Sequence, residues 1–358
     1  MGHTVTGIRR AARPAIRVEP RGYARPMADH VRIGVLGAAA IAPTALVKPA
    51  RTSSAAVVVA VAARSAEKAR AFADKHGISR IHEGYQALLD DPAVDAVYNP
   101  LPNGLHGHWT LAALAAGKHV LCEKPFTANA EEARTVADAA KASGLVVMEA
   151  FHYRYHPLAQ RMRDVVESGE LGELRHVEAQ MRFPLPKFSD IRYDFGLAGG
   201  TMMDAGCYTA NIVRLLGMEE PEVRSAHALL RDPRIDRAIT ADLVFPSGHT
   251  GRVHASMWSF GMPLRLSAKA VGTKGEMRVL NPVAPQAFHR LSVRANGNSR
   301  VERLSKRPSY SYQLDAFTSA VLHGTPFPTT PEDAVANMTL VDDVYRAAGL
   351  PIRQPTPA

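Results

Sequence analysis

The chain has 358 residues, 46% hydrophobic and 22% charged, a balance that predicts two globular domains with ample core material. No apolar run approaches the roughly 20 residues of a membrane helix, so no membrane partner is expected. The net charge of +9 would suit nucleic acid, but residues 1–26 hold six arginines against Glu19, and the remainder is too weakly basic for such a footprint.

Residues 1–29 read as a disordered basic tail, with three prolines and no hydrophobic period. Arg9-Arg10 is not followed by the apolar run of an export signal. Two cysteines, Cys122 and Cys207, make no disulfide framework, so a reduced, cytoplasmic protein is expected. VRIGVLG (31–37) predicts a strand, with a helix of small residues from about Pro43. AAVVVAVAA (55–63) is a second strand, and SAEKARAFADKHG a helix capped by Ser65. VDAVYN and HVLCE are further strands separated by the helix HGHWTLAALAAGK; a helix over 129–143 and the strand GLVVMEA close the series. Apolar strands alternating with helices predict a parallel sheet covered on both faces, with its ligand at the carboxyl ends of the strands. A dinucleotide-binding Rossmann domain is therefore expected over 30–150.

The pattern changes at 151. HVEAQMRF (176–183) and RVHASMW (252–258) alternate strictly between apolar and polar residues, which predicts strands with one face in a core. Residues 151–358 are expected to form an α+β domain on an open, mainly antiparallel sheet, closed by helices near 310–323 and 331–348. The fold class of the whole is α/β.

Four stretches carry chemistry. The first strand runs into Gly37-Ala38-Ala39-Ala40-Ile41-Ala42, a dinucleotide turn of the form G-x-G-x-x-G/A with alanine at the second glycine position. Gly37, Ala39, Ala40 and Ile41 are thus candidate cofactor contacts. An NAD site calls for an acid about 20 residues further on, yet no Asp or Glu lies between His30 and Ala66. The second strand ends in Arg64-Ser65, a cation and a hydroxyl that suit the 2′-phosphate of NADP; a solvated arginine beside a helix cap would read the same. HVLCE leads into Glu123-Lys124-Pro125, where the proline limits the lysine's backbone and the charge points beyond the sheet edge. A lysine there can protonate or stabilise a developing alkoxide. In GGTMMDAGCY (199–208), Asp204 and Tyr208 share a helix face and can converge with Lys124; on spacing alone, a capping Asp204 and a core Tyr208 explain the pair better. His106/His108 and His152/His156 have no third ligand in the sequence pattern, so no metal is expected.

VRIGVLGAAAIA, NPLPNGLHGHWTLAALAAGKHVLCEKPF, MEAFHYRYHP and DIRYDFGLAGGTMMDAGCY together resemble the Gfo/Idh/MocA oxidoreductase family over about residues 30–345. The resemblance implies hydride transfer between NADP and a sugar, keto sugar or cyclic diol. It places Lys124 between nicotinamide and substrate, Glu123 by the nicotinamide ribose, and Pro100, Leu101 and His106 in the cofactor loop. Asp204 and Arg154 fall on the substrate side. Tyr208, where many family members have histidine, fits the subgroup of dihydrodiol dehydrogenases, NADP-dependent xylose dehydrogenases and nucleotide-sugar 3-ketoreductases. There it is the acid or base, with Lys124 lowering the phenol pKa and steadying the oxyanion. A homodimer or homotetramer is implied. The rival expectation is a non-catalytic NADP-sensing protein of the same fold, against which stands the retention of both Lys124 and Tyr208.

Overall fold

The computed structural model describes residues 29–258 and 264–357, so the basic tail expected over 1–29 lies, but for its last residue, outside the described residues. In chain order the first half runs β1 (Val31–Leu36), a π turn at Pro43–Val47 continuing as α1 (Lys48–Arg51), β2 (Ala56–Ala63), α2 (Ala66–His76), β3 (Arg80–Glu83) and α3 (Tyr85–Leu89). It continues as β4 (Ala96–Asn99), α4 (His106–Ala115), β5 (His119–Cys122), α5 (Ala130–Ser143) and β6 (Val147–Glu149). All six strands are parallel, in the order β3-β2-β1-β4-β5-β6. The order reverses between β1 and β4, which opens a crevice at the carboxyl ends of those strands. Helix caps act as expected: Ser65 accepts from the Lys68 N–H, and Asn129 from that of Glu132. Only β3 and α3 lack a sequence signal. RIHE is a short edge strand with three exposed residues, and a strand without a buried face has no pattern to show.

The second half contains α6 (Pro157–Glu167), β7 (Leu174–Arg182), a π turn at Met202–Gly206 running into α7 (Cys207–Gly217), then β8 (Glu222–Asp232), β9 (Ile235–Val244) and β10 (Thr250–Ser256). β11 (Arg265–Gly272), β12 (Gly275–Leu280), β13 (Arg290–Ala295) and β14 (Asn298–Glu302) complete a sheet of order β14-β13-β12-β11-β7-β10-β9-β8. Its ladders are antiparallel except for β7 with β10. Val177, Ala179, Val253 and Ala255 are buried on the face that α7 covers, while Glu178, Gln180 and His254 stay half-exposed on the other.

Two last helices, α8 (Ser309–His323) and α9 (Pro331–Ala347), return to the first sheet. Leu314 and Phe317 of α8 bury against Val31, Ile33 and Leu121. Asp342 of α9 accepts from the Ala130 N–H (3.0 Å) at the start of α5, and Asn337 donates to the Cys207 carbonyl (3.3 Å) in α7. Thr356 then joins the halves, its N–H donating to Gly104 and its hydroxyl to Gly196. Residues after 308 therefore pack with both sheets rather than with the second alone.

Candidate active site

β1 ends in a turn that only a glycine enters easily. Gly37 has φ +93°, its N–H donates to the Ala62 carbonyl (2.6 Å), and a Cβ there would press on Leu101. Among the described residues, the N–H groups of residues 39–41 have no protein acceptor, and they head the helix that starts at Pro43. Free amides at a helix N-terminus attract phosphate, and this cradle fits a dinucleotide despite the methyl of Ala39. At the end of β2, Ser65 is the cap of α2 while Arg64 is exposed, with no acid beside it in the strand. That donor set suits a phosphate better than a pair of ribose hydroxyls.

The next strands fix the Glu-Lys-Pro turn. Tyr98 donates to Glu123 Oε1 (2.6 Å) in the core, and the Lys124 N–H donates to Oε2 (3.3 Å). Burial pushes the Glu123 carboxyl up, against the opposing pull of the Tyr98 hydrogen bond and of Lys124. Pro100 and Leu101 are buried beside it. His106, expected in the cofactor loop, has both ring nitrogens 2.7 Å from backbone carbonyls, those of Pro125 and Leu101, and is 1% exposed. No polar ring atom is left for a ligand, so His106 ties the β4 loop to the lysine turn instead.

Across the cleft, the glycine pair makes room for a buried ion pair. A Cβ on Gly200 (φ +129°) would collide with Asp236 Oδ1, Arg353 Nη2 and the Tyr345 hydroxyl, which form one bonded cluster. The chain then enters the π turn that carries Asp204. Lys124 Nζ lies 3.0 Å from the Asp204 carbonyl, 3.3 Å from its Oδ1, and 4.8 Å from the centroid of the Tyr208 ring. Arg192 Nε takes the other carboxylate oxygen at 3.2 Å. The structure thus brings Lys124, from the turn after β5, together with Asp204 and Tyr208, from the π turn and the start of α7.

The electrostatics define their roles. Burial alone would drive Asp204 up, but Lys124 and Arg192 hold its carboxyl below the usual range. Burial opposes the charge on Lys124, yet Asp204, Cys207 and Glu123 keep its pKa above the ordinary lysine value. The Tyr208 phenol is pushed well above 10, chiefly by burial. The expectation that Lys124 lowers the phenol pKa is corrected as to the outcome: burial outweighs the nearby ammonium, and the phenol stays protonated.

Arg154 is also corrected. Its Nη1 faces Asn211 Oδ1 (3.2 Å) and Asp333 (3.5 Å), among α7 and α9, rather than the cleft. It sits in a 3₁₀ turn, His152–Tyr155, where two residues of separation is two thirds of a turn; His152 faces Tyr208, whereas Arg154 is engaged by Asn211 and Asp333. Tyr98 carries no local signal in the sequence, His152 entered only as half of the dismissed His152/His156 pair, and Arg192 reads from the sequence as either a partner for an anionic substrate or a solvated arginine. Among the described residues, no three His, Cys, Asp or Glu side chains converge as a metal site.

Comparison with known proteins adds three kinds of likeness. Residues 31–151 match the GFO/IDH/MocA model described as an oxidoreductase family with an NAD-binding Rossmann fold, and 159–278 match the GFO/IDH/MocA C-terminal domain. The chain is 38% identical to a D-xylose 1-dehydrogenase (NADP(+)) of Haloferax volcanii over 88% of this chain and 96% of that protein. It is 37% identical to a dTDP-3,4-didehydro-2,6-dideoxy-alpha-D-glucose 3-reductase of Streptomyces violaceoruber, over 74% and 77%. A 3-ketoreductase from Actinomadura kijaniata, solved in complex with NADP and TDP-benzene, superposes with a TM-score of 0.82 at 29% identity, covering 89% of this chain and 98% of that one.

Proposed function

This chain belongs to the GFO/IDH/MocA oxidoreductase family, and we propose that within it the protein is an NADP-dependent enzyme for a hydroxyl- or carbonyl-bearing carbon of a sugar, keto sugar or cyclic diol. The cofactor supplies hydride exchange at the nicotinamide ring; the amides of residues 39–41, with Arg64 and Ser65, would hold its phosphates. One observation carries the reading: Lys124, Asp204 and Tyr208 meet at the carboxyl edge of the parallel sheet, the same edge from which the turn after β1 leaves.

Each side chain has a distinct task. Tyr208, kept protonated by burial, donates to the oxygen of a carbonyl being reduced and takes the proton back in oxidation. Lys124 remains an ammonium and stabilises negative charge on that oxygen. Asp204 anchors Lys124 and Arg192 on its two oxygens, and with Arg192 orients the hydroxyls of the substrate. Glu123 holds the backbone of Lys124 in place. We place the enzyme in the reducing cytoplasm, where buried, unpaired Cys122 and Cys207 are at home, and expect a homo-oligomer. No helix among the described residues is long and apolar enough to cross a membrane.

The test is fluorescence titration with NADPH and NADH side by side, followed by turnover of D-xylose, a trans-dihydrodiol and a dTDP-linked keto sugar. NADPH should bind more tightly, and Arg64→Ala should shrink that preference about tenfold, the scale of one charge-assisted hydrogen bond. Equal binding of the two overturns the choice of NADP, and binding of neither overturns the redox reading.

A further inference from the structure

The Tyr208 hydroxyl has a second neighbour besides Lys124. It lies 3.4 Å from His152 Nε2, a stretched hydrogen bond of the kind that tightens when a substrate binds. From there polar atoms run outward: His152 Nδ1 is 2.7 Å from Ser309 Oγ, and Ser309 donates to Gln286 Oε1 at 3.0 Å. Gln286 is half-buried, at the outer end of the row. Because the one proton of Ser309 is committed to Gln286, its oxygen receives the Nδ1–H of His152. Nε2 is then left with the lone pair that accepts from Tyr208. All the donors point the same way.

The surroundings hold His152 in that role. It is 4% exposed, and its ring stacks on Tyr310, with centroids 4.0 Å apart and planes 32° from parallel. Burial, followed by the charges of Lys124 and His156, draws its pKa down to about 3, so the imidazole is neutral wherever the protein is folded and working. The partners come from the turn after β6, from α7, from the loop between β12 and β13, and from the start of α8.

We propose that His152 is a positioning residue that relays protons between Tyr208 and solvent through Ser309, an inference that rests on Tyr208 being the proton-transfer group. In oxidation the substrate hydroxyl proton passes to Tyr208 Oη as the phenol proton passes to His152 Nε2. The Nδ1 proton moves to Ser309 Oγ, and the Ser309 proton leaves to water beside Gln286. The carbon gives up its hydride to the oxidised nicotinamide, so each turnover releases one proton and two electrons leave the alcohol. Reduction runs the row in reverse from the Nε2–H form that oxidation leaves, and proton exchange through the row restores the Nδ1–H form between turnovers.

Nitrogen-15 NMR of histidine-labelled protein at pH 7 tests this without any substrate. His152 should be the Nδ1–H tautomer, with Nε2 shifted by Tyr208→Phe and Nδ1 by Ser309→Ala. An Nε2–H tautomer, or nitrogens unmoved by Tyr208→Phe, overturns the relay. The kinetic arm uses NADP+ and whichever alcohol of the panel turns over, D-xylose first. His152→Phe keeps a flat ring against Tyr310 and should lower kcat about tenfold, a fraction of full acid–base assistance. The loss should be deepest at low pH, where hydroxide is scarce, and KM for NADP+ should hold; a loss equal at every pH overturns the relay. Should His152→Phe not fold, the spectra of the Tyr208→Phe and Ser309→Ala proteins still decide, since both shift the same ring. Full turnover by Tyr208→Phe instead overturns the role of Tyr208 itself, whatever His152 does.

Discussion

Two buried aspartates sit either side of the same glycine pair, and they hold their cations in opposite ways. Asp236 and Arg353 are wholly sealed, 2.9 Å apart, and every contact is doubled: Asp236 also accepts from Tyr345 and the Met202 N–H, and Arg353 donates to the Gly199 and Pro351 carbonyls. Asp204 and Lys124 meet at 3.3 Å on the cleft, each still 14–15% exposed, and Arg192 competes for the same carboxylate. A sealed, fully bonded pair has no coordination left to offer and serves as a fixture. A looser pair with water at its edge can exchange partners with a ligand, which is what chemistry requires. Burial of an ion pair by itself therefore says little; the unspent bonding capacity separates architecture from site.

The largest effect should come from the cleft. Lys124→Ala and Tyr208→Phe are each expected to cut turnover about 10²–10⁴-fold, the range for loss of a positioned acid–base or oxyanion group. Their melting temperatures should stay close to that of the parent, because Arg192 still neutralises Asp204; steady-state kinetics beside a thermal melt checks both halves. A strong fall in melting temperature would place Lys124 with the fixtures.

Asp236→Ala should show the reverse balance. It strands the Arg353 guanidinium in a sealed site and is expected to cost about 3–5 kcal/mol in denaturant unfolding, the usual scale for a broken buried pair. A loss below 1 kcal/mol would mean that the backbone carbonyls alone satisfy Arg353.

A smaller effect concerns pH. Burial raises Glu149 to about 8 and Glu132 to about 7. Between the unfolded carboxylate value and those pKa values the folded chain keeps protons that the unfolded chain has lost, so stability should fall as pH rises through neutrality. Each retained proton contributes a slope of about 1.4 kcal/mol per pH unit. Asp204, whose pKa is depressed, loses its contribution only in acid. Unfolding curves from pH 5 to 9 read this slope, and Glu149→Gln should flatten it.

Much of the first sheet was legible because parallel strands are apolar throughout and their helices carry plain caps, as at Ser65 and Asn129. The alternation of β7 and β10 disclosed an open sheet, and the Gly37 turn, the Lys124 turn and the Asp204–Tyr208 spacing were visible as local patterns. Misreadings arose where role depends on direction. His106 and Arg154 lie in the expected segments, yet one is spent on two backbone carbonyls and the other is turned toward Asp333. A motif gives a residue's place along the chain and cannot give the azimuth of its side chain in a short 3₁₀ turn.

What the sequence by itself determined is the alternation of elements, the phosphate turn without an acid after β2, and the residue types able to move a proton. These are short-range properties, set by periodicity, propensity and the chemistry of single side chains. Tertiary structure decided which of those groups meet: Lys124 with Asp204 across 80 residues, Tyr208 with His152 across 56, and α8 returning to the first sheet to set Ser309 and Tyr310 beside them. It also decided their ionisation, because burial and the nearest opposite charge exist only once the two halves have closed on each other.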